Sequence, residues 1–152
     1  MPWPSPTRAP PRRRGRTPSG ALTEPSQVRV ARVYTAPGEG DGERVLVDRL
    51  WPRGLRRDSE QFHRWLKEVA PSTELRRWYG HQEKRLAEFS NRYREELGTG
   101  DAAAGLQALV ELARSGPITL VTATRDLSLS AAMILAEVVR ERLSQPQERL
   151  RA

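Results

Sequence analysis

The sequence predicts an α/β fold in which helices cover a small, mostly parallel sheet of about three or four strands, preceded by a disordered N-terminal tail. Three observations favour this fold. Residues 28–34 alternate apolar and polar side chains, the pattern of a half-buried strand. Residues 44–48, which contain the apolar run 45–47, and the largely β-branched residues 118–122 have strand length, and a long stretch of helical periodicity separates them. Strands separated in this way are typically parallel, with a right-handed connection.

The length of the chain allows one domain, and its composition excludes several functions. Its 152 residues, of which 37% are hydrophobic, allow a single core of modest size. The absence of cysteine excludes disulfides, thiol nucleophiles and cysteine-ligated metal sites, and it fits a reducing cytoplasm. No apolar run approaches the roughly 18 residues of a membrane span. We therefore expect a cytoplasmic protein with no membrane partner.

The N-terminal residues 1–27 differ in composition from the rest of the chain. They are rich in proline, arginine, serine and threonine, so they cannot bury enough apolar surface to offset the entropy of ordering. Five arginines against Glu24 give them a charge of +4, out of +7 for the whole chain. We interpret this tail as a solvated, disordered extension, and the alternative is a weak contact with a polyanion.

The first strand leads into a turn-forming segment, 37–42, in which proline and glycine dominate. Because this connection has the length of a hairpin loop, we expect the first strand to be an antiparallel edge of the sheet. The second strand stops before Pro52, which lacks a backbone donor, and Gly54, which permits a positive φ.

A helix is predicted after the second strand, from Asp58 to the residue before Pro71. Asp58 is the predicted N-cap, and Gln61 three residues later resembles a capping box. The apolar side chains at helical spacing are expected to face the core, Trp65 among them. They are Phe62, Trp65, Leu66 and Val69.

Four further helices are predicted after Pro71, with the third strand, 118–122, before the last of them. The short first one is capped by Ser72 and closed by Gly80. The second covers 82–97. The predicted caps of the last two are Asp101 and either Ser128 or Ser130. The last helix ends at Leu143, and residues 144–152 are expected to fray.

Several motifs occur in unbroken order between residues 28 and 143. They are DRLWPRG at 48–54, WLKEVAPS at 65–72, ELR at 74–76, WYGH at 78–81, RY at 92–93 and GPITL at 116–120. With these motifs the chain resembles the YeaO-like family, catalogued as domain of unknown function 488. The resemblance implies one small cytoplasmic α/β domain over 28–143 and no established activity.

The chain departs from the family pattern after the third strand. Members of the family usually carry a His-Asn pair at the opening of the last helix, where this chain has Leu129 and Ser130. If that pair does chemistry in relatives, the resemblance implies that this protein is a weakened or divergent member.

Charged side chains follow the second and third strands, so we expect them to share one cleft at the carboxyl edge of the sheet. Guanidinium groups there suit phosphate or carboxylate, and the alternative is ion pairing with nearby carboxylates. An indole at this edge either stacks on a planar ligand or fills the core. A lysine of the WLKEVAPS motif is included because of the resemblance. The candidate ligand-binding residues are Arg49, Trp51, Arg53, Lys67 and Arg125.

The candidate catalytic residues are His81, Asp48 and Asp126. Histidine exchanges protons near neutral pH, which makes His81 a candidate acid–base group. The two aspartates could share a divalent cation, but we favour the alternative that each pairs with an arginine or caps a turn, so no metal ligand is assigned. Residues 38–42 lack the GxGxxG spacing of a dinucleotide loop, and the cofactor stays unassigned.

The sequence leaves three functions open. The first is a pocket for a small anionic ligand, either binding or enzymatic. The second is a regulatory or interaction module without catalysis. The third is a nucleic-acid accessory protein that uses the basic tail and exposed helix arginines such as Arg76 and Arg77. The sequence does not predict the oligomeric state.

Overall fold

The computed structural model describes residues 27–145. The predictions made for residues 1–26 and 146–152 lie outside the described residues. Within the described part, the chain folds as a four-stranded sheet with α-helices on one face, which confirms the predicted α/β class.

All the strand pairs are parallel. The strands are β1 (Val28–Arg32), β2 (Glu43–Leu46), β3 (Arg64–Trp65) and β4 (Ile118–Thr122), and their order in the sheet is β1-β4-β2-β3. The predicted parallel pairing of β2 and β4 is confirmed, with Val45 opposite Leu120. The long helical segment between them is the crossover connection that parallel neighbours need.

The prediction that the first strand is an antiparallel edge is wrong in its direction. β1 lies at the edge but runs parallel to β4, with Val30 opposite Leu120. β4 is buried along its whole length, so it takes the centre of the sheet and separates β1 from β2. The loop between β1 and β2 therefore passes over the end of β4, where the Glu43 amide donates to the Pro117 carbonyl at 3.1 Å.

The predicted helix between Asp58 and Pro71 is also wrong. Residues 64–65 form the edge strand β3 instead, because backbone groups of this segment pair with β2: the amides of His63 and Leu66 donate to main-chain carbonyls of β2 at 2.8 and 2.9 Å. A single 3₁₀ turn, Lys67–Val69, is the only helical part between 58 and 71. Trp65 is 36% exposed rather than part of the core.

Four α-helices follow: α1 (Thr73–Tyr79), α2 (Leu86–Glu96), α3 (Gly100–Ser115) and α4 (Ala131–Leu143), with 3₁₀ turns at Glu83–Arg85 and Leu127–Leu129. The predicted caps of α1 and α4 are confirmed. Ser72 accepts a hydrogen bond from the Leu75 amide, and Ser130 accepts one from the Met133 amide. Gly80 ends α1 in the left-handed conformation, with φ 55°. Asp101 is not a cap, because α3 begins one residue earlier, after Thr99.

The two faces of the sheet are covered differently. Side chains such as Val28, Val45 and Leu120 pack against the helices in the main core. The opposite face carries a smaller cluster around Leu46, which loop residues such as Phe62 cover. Helices therefore cover one face, and loops cover the other. Of the helices in residues 27–145, none has the length and apolar character that crossing a bilayer requires.

Candidate functional site

A cleft of about 520 Å³ lies at the carboxyl ends of β2 and β4. Three segments form its walls: the loop after β2 at 47–53, the loop after β4 at 122–124, and the segment from Ala70 into α1. Ala131, the first residue of α4, closes one side. The parallel direction of β2 and β4 delivers both loops to the same edge, the usual position of a ligand site in an open α/β sheet.

The carboxylate of Asp48 joins the two strand ends. One oxygen accepts a hydrogen bond from Thr122 Oγ1 at 2.6 Å, and the other accepts from the Ala123 amide at 2.7 Å. Thr122 Oγ1 in turn accepts from the Thr124 amide at 3.2 Å. Both carboxylate oxygens are therefore engaged in holding the loop after β4, which fixes the shape of the cleft wall.

Arg49 is anchored at the base of the segment before α1. Its Nη2 donates to the main-chain carbonyls of Ala70 and Pro71, at 3.1 and 3.3 Å. Its Nε is buried and has no hydrogen-bond partner within residues 27–145. An unpaired buried donor costs about 1–3 kcal/mol, so a group this polar is normally completed by a ligand or water.

Three more arginines line the cleft: Arg53, Arg76 and Arg77. All three are exposed, and within the described residues their side chains form no hydrogen bond or ion pair. Asp48 is the only carboxylate among the lining residues, so four arginines and one aspartate give the cleft a formal charge of +3. A concave surface with one sign of charge concentrates ligands of the opposite sign.

His81 lies on the rim in an uncommon backbone conformation. Its φ is +56°, the left-handed region, directly after the left-handed Gly80. Its ring lies 5.5 Å from that of Tyr79, which stacks on Phe89 at 3.9 Å. Side chains other than glycine rarely adopt this conformation, and such residues are enriched at functional sites.

Trp51 lines the cleft, and neighbouring groups hold its indole ring in place. Its Nε1 donates to the Leu55 carbonyl at 2.9 Å. Its ring meets those of Phe62 and Trp65 edge-on, with centroids 5.2 and 5.7 Å away. Of the two alternatives predicted for this indole, the contacts favour packing, because two aromatic rings and the hydrogen bond fix its orientation.

Two buried tyrosines beside the cleft are held in the neutral form. Burial raises the pKa of Tyr79 and, more strongly, that of Tyr93. Their hydroxyls donate to main-chain carbonyls, Tyr79 to Leu129 at 2.8 Å and Tyr93 to Val69. These groups therefore act as neutral donors that tie α1 and α2 to the neighbouring loops.

Comparison with known proteins assigns the chain to a family. The model of a family described as "Inactive DUF488-N3 subclade" matches residues 27–152. The chain belongs to this DUF488 subclade. An uncharacterised protein of Mycobacterium tuberculosis is 46% identical over 121 residues, which is 80% of this chain and 100% of that protein. The uncharacterised protein YeaO of Escherichia coli is 34% identical over 113 residues, or 74% of this chain and 96% of YeaO.

The resemblance to the YeaO-like family is thus confirmed. No solved structure matches the chain. In this DUF488 protein, the two positions at which the resemblance led us to expect a His-Asn pair adjoin the cleft. The Leu129 carbonyl accepts a hydrogen bond from the Tyr79 hydroxyl. Ser130 is fully buried and caps α4.

The cleft brings together part of the site predicted from the sequence. The predicted residues that line it are Asp48, Arg49, Trp51, Arg53 and His81. Their positions follow from the two parallel strand ends and from the end of α1. The catalytic and ligand-binding roles assigned to them stay predictions.

The three other predicted residues lie outside the cleft. Lys67 Nζ lies 5.3 Å from the ring centroid of Trp65. Asp126 caps the 3₁₀ turn at Leu127–Leu129, where Oδ1 accepts from the Ser128 amide at 3.0 Å. Arg125 is exposed on the preceding loop. None of these three lines the cleft: Arg125 and Asp126 lie beyond Thr124, the last lining residue of the loop after β4, and Lys67 lies in the 3₁₀ turn before Ala70, where the lining of the third segment begins.

Arg76 and Arg77 are the charged cleft residues that the sequence did not assign to a ligand pocket. The sequence placed them only on an alternative nucleic-acid surface. No local pattern signals their position, because it depends on the contact between Arg49 and the residues just before α1. Within residues 27–145, no group of three or more histidine, aspartate or glutamate side chains is arranged to hold a metal ion.

Proposed function

We propose that this DUF488 protein binds a small anionic ligand in the cleft and does not transform it. The observation that carries the proposal is the set of arginines without partners. The guanidinium groups of Arg53, Arg76 and Arg77 form no hydrogen bond or ion pair within the described residues, and Arg49 keeps an unpaired buried Nε. Together these four arginines share one concave surface with a single carboxylate, so the excess positive charge of the cleft is left for an anion from outside the protein.

Arg44 illustrates the contrast within the same chain. It is 1% exposed, and its guanidinium donates to Asp41 at 2.8 Å and to the Thr35 carbonyl at 2.7 Å. It also donates to the Gln61 carbonyl at 2.5 Å. The guanidinium of Arg44 thus donates to three acceptors of the protein. The guanidinium groups of Arg53, Arg76 and Arg77 donate to none within the described residues.

The hydrogen bonds of two candidate catalytic residues, Asp48 and Asp126, support the proposal that the ligand is not transformed. Both oxygens of Asp48 accept hydrogen bonds, and Asp126 caps a turn outside the cleft. The subclade itself is described as inactive. Leu129 and Ser130 stand where the resemblance leads us to expect a His-Asn pair, so an imidazole and a carboxamide are missing next to the cleft.

Ligand-dependent thermal stabilisation tests this proposal. We expect small phosphorylated or carboxylated anions to raise the unfolding temperature of the full-length protein, since a ligand at 100 times its Kd stabilises by about 2.7 kcal/mol. Arg53→Gln and Arg76→Gln should each reduce the shift, because each removes one unpaired guanidinium from the cleft.

Arg57→Gln is the matched control. Arg57 is exposed and unpartnered within the described residues, like Arg53, but it does not line the cleft. It should keep the wild-type shift. Equal losses in all three variants would indicate non-specific charge screening. The absence of a shift with any anion would favour a regulatory or interaction module instead. Turnover of a bound anion would contradict the non-catalytic part of the proposal.

A further inference from the structure

We infer that the ligand is a phosphomonoester whose organic body is apolar and rests on Leu50 at the mouth of the cleft. This inference rests on the proposed function and narrows it to one chemical class. It has two parts, a phosphate group for the arginines and an apolar body for the exposed leucine, and each part is carried by its own observation.

The charge of the cleft favours a phosphate ester over a carboxylate. A carboxylate brings one negative charge and two oxygens, which one arginine fork satisfies. A phosphate ester brings a charge of about −1.5 to −2 near neutral pH and three acceptor oxygens. The cleft offers four arginines against one aspartate that is already engaged. Only the more highly charged group uses several of these donors at once.

The size of the cleft favours an organic body in addition to the phosphate. Its volume of about 520 Å³ lies within the range of roughly 300–1,000 Å³ that is typical of sites for drug-sized ligands. Apolar side chains form much of the wall, including Pro52, Pro71 and Phe89. Inorganic phosphate alone would leave most of this surface uncovered.

The exposure of Leu50 indicates that the organic part of the ligand is apolar. Leu50 lines the cleft, yet it is 68% exposed, the most exposed of the large hydrophobic side chains in the described residues. Leu50 and Arg49 line the same cleft, so an apolar group that covers Leu50 would share the cleft with the anchored guanidinium. Covering a leucine that is otherwise exposed to water contributes favourable free energy in proportion to the area covered.

The test compares four probes on the full-length protein by calorimetric titration at matched ionic strength. The probes are phenyl phosphate, glycerol phosphate, inorganic phosphate and benzoate. We expect phenyl phosphate to bind most tightly, followed by glycerol phosphate and inorganic phosphate, with benzoate weakest. Leu50→Ala should weaken the binding of phenyl phosphate about fivefold to tenfold and leave the affinity for inorganic phosphate unchanged. Arg76→Gln should weaken both.

The outcomes separate this inference from the proposed function. Tighter binding of benzoate than of phenyl phosphate would overturn the phosphate class and leave the anion site standing. Equal binding of phenyl phosphate and inorganic phosphate, or no effect of Leu50→Ala, would overturn the apolar body. Failure of all four probes to bind would overturn both the inference and the proposed function. Because Leu50 is exposed, an unchanged unfolding temperature without ligand confirms that the variant folds.

Discussion

At the scale of the residue, Asp48 shows how one side chain can shape the cleft. Its carboxylate follows β2, and its two hydrogen bonds reach Thr122 and Ala123 at the end of β4. Both neighbours donate, so a side chain with two acceptor oxygens satisfies them best. The carboxylate therefore holds two strand ends at the spacing that opens the cleft between their loops.

Replacing this carboxylate by an amide tests the role. In Asp48→Asn, one of the two donors would face the amide nitrogen, so we expect the free energy of unfolding to fall by about 1–3 kcal/mol. Urea denaturation at neutral pH measures the loss. Asp58→Asn is the control, because the ion pair of Asp58 with Arg56 is largely exposed and should contribute little. A stability equal to that of the wild type would contradict the role.

His81 offers a second test at this scale, because its backbone is in the left-handed region. We expect His81→Gly to keep the free energy of unfolding within about 1 kcal/mol of the wild type, since glycine adopts this conformation freely. His81→Val should lower it by about 1–2 kcal/mol, because a β-branched residue is strained there. Chemical denaturation of the two variants measures the difference. Equal stabilities would argue against the left-handed backbone.

At the scale of the element, the edge strand β3 explains the failed helix prediction. The apolar residues between 62 and 69 follow a helical period, but they do not face one core. Phe62 packs on the loop-covered face of the sheet, whereas Val69 packs on the helical face. A chain that passes from one face to the other must cross the edge of the sheet. Backbone pairing with β2 is how this segment crosses it.

The N-cap of α4 can be tested by substitution. Ser130 Oγ accepts from the Met133 amide at 3.2 Å and donates to the Leu127 carbonyl at 2.7 Å, and the residue is fully buried. We expect Ser130→Ala to lower the free energy of unfolding by about 1–2 kcal/mol, because it removes an N-cap. Urea denaturation measures this loss. Ser115→Ala, at an exposed serine, should change stability little, and an equal effect of both variants would refute the cap.

At the scale of the whole molecule, the sheet is held between unlike layers. Helices cover one face, and loops that Arg44 ties together cover the other. Arg44 joins Asp41 and Thr35 on one loop to Gln61 on the next. The hydrogen bond from the Gly38 amide, together with the Arg44 guanidinium, lowers the pKa of the Asp41 carboxyl from its ordinary value.

Acid should therefore weaken the loop layer. Because the pKa of Asp41 is lower in the folded state, its contribution is present above the unfolded pKa and is lost as pH falls below about 4. Asp41→Asn should lower stability at neutral pH by about 3 kcal/mol, because it leaves a buried guanidinium without its charge partner. It should also reduce the acid dependence.

Urea denaturation at neutral and acidic pH measures both effects. The control is again Asp58→Asn, in which the acid dependence of the wild type should persist. If Asp41→Asn lost as much stability on acidification as the wild type does, Asp41 would not be the group that senses acid in this layer.

The sequence by itself determined which segments form most of the elements. Local signals were sufficient for β1, β2, β4 and the capped helices, because alternation, helical period and cap residues act over a few neighbours. The same signals placed Asp48 and Arg49 at a strand end. The failure at β3 has the opposite cause, since backbone pairing with β2 outweighed a local pattern there.

Only the tertiary structure decided the direction of β1, which face of the sheet the helices cover and which residues line the cleft. The position of β4 between β1 and β2 depends on competition among strands for the most buried place. Arg76 and Arg77 line the cleft because α1 follows the segment that holds Arg49, whereas Arg125 does not line it because it lies beyond Thr124, the last lining residue of the loop after β4. Such outcomes depend on which surfaces distant segments bury together, and no local spacing encodes that choice.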